Sequence, residues 1–339
     1  VRPEDASGRP VGGKDYPRNL AEFEAFFSTE RDCLLYLARL RWPAGFRCRF
    51  CEHDRYWWRD DGLLLCCSCR RTTSITAGTL FDKSQLGLRK WFHVIWYVVN
   101  QTGGVSALGL QRVLGFGSYQ TAWAWLHKLR RAMEPTSGKL SGEVEVDEVL
   151  IGGVEAGVTG RETKTKSKVI VAVERRGPRK SAGRVRMRRI ESFDGGTLVG
   201  FIEEVVEPGS TVITDAWGGY AKVAQRGYVH VAHNVSKSSQ QAHELMPAVH
   251  RVAALVKRWL LGTHQGAVAP SHVDFYLAEW CFRFNRRRSR HRGCCSTTSS
   301  FRQPGRPEAL HGAAVAHRGR PARTRAQGGA RDARRGCGR

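Results

Sequence analysis

An α/β fold built on a mixed sheet is predicted for residues 140–293, behind a small cysteine ribbon and a helical region. Three observations predict it. Residues 143–233 contain five short strand-like runs rich in Val and Ile, broken by one helical stretch. Upstream of residue 135 the apolar residues instead recur with helical period. Within that helical part lie two Cys-x2-Cys pairs.

The chain has 339 residues, and 41% of them are hydrophobic, which suffices for packed cores and exceeds what one core needs. Its 55 Lys and Arg outnumber 31 Asp and Glu, for a formal charge of +24. That excess points to a polyanionic partner. The longest apolar run, Trp91–Val99, contains a His and falls short of the ~20 residues a membrane span needs. Residues 1–20 lack the apolar stretch of a secretory signal, so the expected location is cytoplasmic, with no membrane partner.

Residues 1–42 form an N-terminal helical segment, in which Leu20, Phe23, Phe26, Phe27, Cys33, Leu34, Leu37 and Leu40 mark a helix or helix pair. Residues 43–80 hold Cys48-x2-Cys51 and Cys66-x2-Cys69. Two such turns supply four thiolates, the set that closes a structural zinc site in a tetrahedron. Cys66 keeps the two spacings equal, so Cys67 is left out. Cys33 and Cys281 sit in apolar helical patterns and read as buried core thiols. Residues 81–135 read as helical. A short helix over 106–114, the turn Gly115-Phe116-Gly117-Ser118 and a longer helix over 119–133 have the shape of a helix-turn-helix. Its second helix would offer Tyr119, Gln120 and Lys128 to DNA.

In the α/β part, strands are expected at 143–151, 168–174, 183–190, 210–214 and 228–233, with helices at 195–206 and 244–261. Three strands, a helix, a strand, then more strand and helix is the order of a ribonuclease-H-like mixed sheet. Asp147 lies within the first strand and Asp215 ends the fourth. In that sheet the two strands are neighbours, so both carboxylates would share one cluster at equivalent strand ends. Two clustered acids repel unless a cation such as Mg²⁺ lies between them. A third ligand is expected from the following helix. His250 and Lys257, seven residues apart, share one face of it, with Arg251 and Arg258 alongside. Glu244 and Asn285 are the alternatives to His250.

The segments Leu40-Arg-Trp-Pro-Ala-Gly-Phe-Arg-Cys, Thr76-Ala-Gly-Thr-Leu-Phe, Val144-Glu-Val-Asp-Glu-Val-Leu-Ile-Gly-Gly, Thr214-Asp-Ala-Trp-Gly-Gly-Tyr, Lys257-Arg-Trp-Leu-Leu-Gly-Thr-His-Gln-Gly and Phe282-Arg-Phe-Asn-Arg-Arg-Arg-Ser mark a stretch from about Phe26 to Gly293, most of the chain. In that order they resemble bacterial insertion-sequence transposases of the ISXO-like group. The resemblance implies a DDE-type DNA strand-transfer enzyme with Asp147 and Asp215 holding Mg²⁺ or Mn²⁺. Relatives with Glu as the third ligand place it seven before the Lys, which lands on His250 here. Lys257, Arg258, Arg286 and Arg287 would neutralise phosphate, and the terminal inverted repeats and target DNA would be the partners. The family also implies a homo-oligomer, since two element ends are held together. The competing readings are a catalytically inactive zinc-ribbon DNA-binding protein derived from a transposase, and a nuclease of RNA hybrids.

Residues 294–339 carry ten Arg, no Lys, one Glu and one Asp, a net of +8, and lack Ile, Met, Asn, Trp and Tyr. This basic low-complexity tail cannot bury a core. Relatives continue after the Arg-rich stretch with an apolar segment and a helix, so a single-base indel near codon 293 is one explanation. A genuine basic DNA-binding tail is the other.

Overall fold

The computed structural model describes residues 12–289 apart from 60, 135–137, 154–162, 164, 178–180, 235–238, 240 and 267. The tail at 294–339 lies outside the described residues, as do Arg290–Arg292 of the basic stretch. No helix among the described residues is long and apolar enough to cross a membrane.

The N-terminal segment is a helix pair, α1 (Leu20–Phe26) and α2 (Glu30–Arg41). Local polar groups separate the two. Asn19 accepts from the Glu22 amide to start α1, and Thr29 with Asp32 forms a reciprocal capping box for α2. Three short antiparallel strands follow: β1 (Tyr56–Trp58), β2 (Leu63–Cys66) and β3 (Thr72–Ser74). Then come α3 (Leu88–Asn100), α4 (Ala107–Leu114) and α5 (Tyr119–Ala132). Gly115 ends α4 in the left-handed region at φ +61°, and Ser118 caps α5 by accepting from the Thr121 amide. Trp91 of α3 and Trp125 of α5 stack with ring centroids 3.6 Å apart and planes 4° from parallel. Ribbon residues Leu64 and Ile75, α2 and these helices bury their apolar faces in one common core.

The α/β part places five strands in the order β6-β5-β4-β7-β8. These are β4 (Glu143–Ile151), β5 (Ser167–Arg176), β6 (Ser181–Ile190), β7 (Thr211–Asp215) and β8 (Val229–His233). β4, β5 and β6 are antiparallel neighbours, and β4–β7 and β7–β8 are parallel. This is the ribonuclease-H-like mixed sheet. Alternation splits its residues between two cores. Val144, Val146, Ile170, Ala172 and Val212 meet α6 (Gly195–Val205) on one face. Val149, Val169, Val171, Val173 and Ile213 meet α8 (Pro247–His264) and α9 (Val273–Asn285) on the other.

The helix expected over 244–261 is two helices. A short α7 (Ala242–Leu245) stops at Met246, and α8 (Pro247–His264) begins with Pro247 in its first turn. Proline has no amide hydrogen to give an upstream carbonyl, so the chain restarts there. α8 runs past Gly262 and is closed by Gln265 in the left-handed region. The last helix among the described residues, α9 (Val273–Asn285), packs on β6 and sends Phe282 into the N-terminal core.

Where α5 meets α9, His127 and His264 contact Tyr276, and burial pushes both imidazoles down to about 4. Their folded values lie below the ordinary 6.5, so the unfolded chain binds more protons between pH 6.5 and 4. This stability is complete above pH 6.5 and is lost as the pH falls towards 4. Because both rings keep partial solvent access, the expected combined loss is discounted to about 1–2 kcal/mol. It is measured as a drop in Tm between pH 7.5 and 5, and a His127→Phe, His264→Phe double variant should flatten that slope.

Candidate active site

Strand register decides which acids meet. β4 and β7 are parallel, and Glu145 pairs with Ile213 as the last matched position. Two residues further along each strand stand Asp147 and Asp215, level with one another and on one face. Asp215 is the end of β7, as expected. Asp147 is not at a strand end: β4 continues for four more residues, paired to β5 through Ile151. The long hydrogen-bonded partner strand holds β4 extended where β7 has already stopped.

That overhang brings in a residue the sequence reading missed. Oxygens of Asp147, Glu148 and Asp215 all lie within 4.8 Å of one another. Neighbours in a strand point to opposite faces, so alternation alone directs Glu148 away from Asp147. β7 stops at Asp215, level with Asp147, so no residue of β7 pairs beside Glu148. Tyr220 orients Glu148 by donating its phenolic hydrogen to Glu148 Oε1. Burial, followed by the charge of Glu148, pushes the Tyr220 phenol well above its usual range, so it remains a donor. The signal available in the sequence was an Asp-Glu pair inside an apolar strand, together with the Tyr of Trp217-Gly-Gly-Tyr220.

Glu145 sits on the same face as Asp147 and is fully buried. It is paired with Arg175, and its Oε2 accepts from the Val249 amide at 2.7 Å. Arg175 also donates to the Leu245 carbonyl at 2.7 Å. A buried carboxylate at the first turn of α8 satisfies an orphan amide and complements the helix dipole. The pair thereby pins the start of α8 to the strand that carries Asp147. One residue on from Val249, His250 places Nε2 3.9 Å from Asp147 Oδ2. That nitrogen is buried and has no hydrogen-bond partner. Burial lowers the His250 pKa, which keeps the ring neutral and its lone pair available.

The remaining expected residues are spread more widely. Lys257 lies two turns along α8 from His250, about 10 Å by helix rise, and is exposed beside Arg258. Glu244 is exposed and accepts from the Gln241 amide at the start of α7, so it does not join the cluster. Asn285 is also elsewhere. Its Oδ1 accepts from the Val185 amide at 2.8 Å and its Nδ2 donates to the Val185 carbonyl at 3.0 Å. Val185 is in β6, two strands from β4, so Asn285 fastens α9 to the sheet edge. Arg287 likewise spends donors on the carbonyls of Ala182, Gly183 and Phe284, which leaves less of it for phosphate than expected. Arg286 stacks over Phe282 at 4.0 Å.

The ribbon cysteines converge as spaced. Cys48, Cys51, Cys66 and Cys69 form one group, with Cys48–Cys69 at 3.6 Å and Cys51–Cys66 at 3.5 Å between sulfurs. A disulfide needs about 2.05 Å. A tetrahedron of Zn–S bonds near 2.3 Å has edges of about 3.8 Å, so four thiolates here fit zinc. Cys67 stays outside the group. Burial pushes the Cys33 and Cys281 thiols up to about 12, which makes them inert core residues. On α5, Tyr119, Gln120 and Lys128 are all exposed, and Gln120, Ala124, Lys128 and Arg131 make one exposed stripe.

Two family models match the chain. Residues 139–285 match the ISXO2-like transposase domain, and residues 28–72 match the transposase zinc-ribbon domain. An uncharacterized protein in transposable element ISH50 of Halobacterium salinarum is 32% identical over 146 residues, 42% of this chain and 48% of that protein. The match thus spans about half the length of that relative. Among solved structures, the catalytic core domain of BIV integrase is similar with a TM-score of 0.29 and 14% identity, over 41% of this chain and 81% of that one. The simian T-cell lymphotropic virus intasome gives 0.30 and 15%, over 50% and 63%. The Mos1 strand transfer complex gives 0.22 and 11%, over 57% and 75%.

Proposed function

We propose, for a chain that carries an ISXO2-like transposase domain behind a transposase zinc ribbon, that it binds the ends of an insertion sequence and catalyses metal-dependent DNA cleavage and strand transfer. The observation that carries this reading is the convergence of Asp147, Glu148 and Asp215 beside the unpartnered His250 nitrogen. Three carboxylates so close repel one another unless a cation lies between them, and hard oxygen donors suit Mg²⁺ or Mn²⁺. Such an ion, when bound, supplies the Lewis acidity for in-line attack on phosphorus, first by water and then by the freed 3′-OH.

The chain's own residues do the rest. Asp147, Glu148 and Asp215 would hold the ion, since bare carboxylates repel a phosphate, and His250 is the third position on α8. Lys257 and Arg258 hold the phosphates that flank the cut. The exposed stripe of α5 and the zinc ribbon read the terminal inverted repeats. Two chains act together, one on each end.

An imidazole is a poorer ligand for Mg²⁺ than for Mn²⁺. The wild type should therefore cleave faster with Mn²⁺, and His250→Glu should shift the rate ratio towards Mg²⁺ by about tenfold, equivalent to about 1.4 kcal/mol. The test of the function itself is a cleavage assay on duplexes with and without element ends. Cuts that need the end sequence and a divalent ion, and that leave 3′-OH termini, are expected. Equal cutting of end-free RNA hybrids would overturn the reading, and so would zinc-dependent DNA binding with no cleavage in either metal. A placement of His250 against Asp147 favours a working site over an inactive remnant.

A further inference from the structure

Helix α8, which carries His250 beside Asp147, and helix α9, which packs on β6, are also locked to the helix-turn-helix region. Arg130 of α5 is 2% exposed and donates from Nε to Glu279 of α9 at 2.7 Å, and Glu279 has no exposure at all. Arg130 also donates to the Val105 carbonyl at 3.3 Å and lies 4.1 Å over the Tyr276 ring. Arg283, one turn further along α9, shares Glu279 and donates to the carbonyls of Val98 and Gln101 at the end of α3. The flanking arginines hold the Glu279 carboxyl below its usual range against the opposing effect of burial. A second clamp comes from α8. Trp259 Nε1 and Thr263 Oγ1 both donate to the Gly103 carbonyl, at 3.0 and 2.5 Å. Gly104, at φ +82°, lies so close that an added Cβ would meet Trp259 Nε1 at 2.6 Å.

A buried charge network is costly to assemble and is not needed merely to join two domains. Its value is in fixing one geometry. The path is short and made of rigid elements: Asp147 to His250, nine residues of α8 (about 13 Å) to Trp259, then Gly103 and the start of α4.

We infer that this seam is a ruler: Arg130, Glu279, Arg283, Trp259 and Thr263 are positioning residues that set the distance between the recognised DNA sequence and the cut. The inference rests on the reading of α5 as the recognition helix. B-DNA advances about 3.4 Å per base pair, so slack of that size in the seam moves the cut by one position.

The test maps cut positions on end-containing duplexes, beside binding affinity and Tm, for the full chain. Two seam variants outside the buried charges are used: Trp259→Phe with Thr263→Val, which removes both donors, and Gly104→Ala, which wedges the loop from α8. Wild type should cut at a single position. The seam variants should keep end affinity within about twofold, because no phosphate or base contact is removed, yet spread the cuts over neighbouring positions. Glu279→Gln is the third variant, for which the spread is compared at matched folded fraction. A single unchanged cut position in folded seam variants would overturn the ruler, as would a uniform fall in rate with no spread. A Gln120→Ala, Lys128→Ala variant with unchanged end affinity would instead overturn the assignment of α5. Absence of end-specific cleavage by the wild type would overturn the transposase reading itself.

Discussion

Asp147→Asn is expected to lower the single-turnover rate of end cleavage by at least about 10³-fold, because it removes a charged donor from a site whose ion contributes several kcal/mol to the transition state. Binding of end-containing duplex should change little, since the exposed stripe of α5 proposed to face DNA and the ribbon belong to a different core from β4. The substitution is isosteric and relieves repulsion among three clustered acids, so the metal-free protein should melt no lower than wild type. A further readout separates metal binding from chemistry. Ions that bind only the folded state raise Tm, and the rise with Mn²⁺ should shrink in Asp147→Asn and in Asp215→Asn. Glu148→Gln should lie between these and wild type, since Tyr220 can still hold the amide oxygen. Full cleavage by Asp147→Asn would sink the assignment of the site.

That prediction rests on how much of the site the sequence makes legible. Asp147 and Asp215 can be found because a carboxylate in an apolar strand is expensive unless it has a function. The parallel pairing that aligns them follows from element order. Glu148 is invisible to the same logic. Alternation assigns it to the opposite face, and only the unequal lengths of β4 and β7, a tertiary fact, bring it to the cluster. Asn285 shows the reverse error. A polar residue in an Arg-rich segment after an apolar stretch reads as a ligand, yet its amide is satisfied on both sides by the backbone of an edge strand. Edge-strand amides need partners, and sequence does not say which helix supplies them. Pro247 was readable as a helix start, and the period of the apolar residues on either side hid it. The buried Arg130–Glu279 pair, 149 residues apart, had no local signature.

The ribbon is where spacing said most, and it supports the second large effect. Removing zinc with a chelator, or replacing Cys66 by Ser, is expected to unfold residues 43–80. Metal binding to structural Cys sites supplies about 10–16 kcal/mol in zinc-finger peptides, and three strands of three or four residues are too short to be stable by themselves. The damage should spread, because Leu64 and Ile75 belong to the same core as Phe23, Leu37 and Trp91. Circular dichroism and limited proteolysis should show loss of the N-terminal part first, while the sheet of β4–β8, with its own two cores, stays folded. End binding should fall by more than tenfold, an expected 1.4 kcal/mol or more. Cys67 provides the internal control. It is adjacent to a ligand, lies outside the sulfur cluster, and its amide donates to the Arg55 carbonyl at 3.1 Å. Cys67→Ser should therefore retain zinc and DNA binding, whereas Cys66→Ser should lose both. Equal zinc content in the two variants, measured by metal analysis of purified protein, would place the fourth thiolate elsewhere and break the spacing argument on which the ribbon rests.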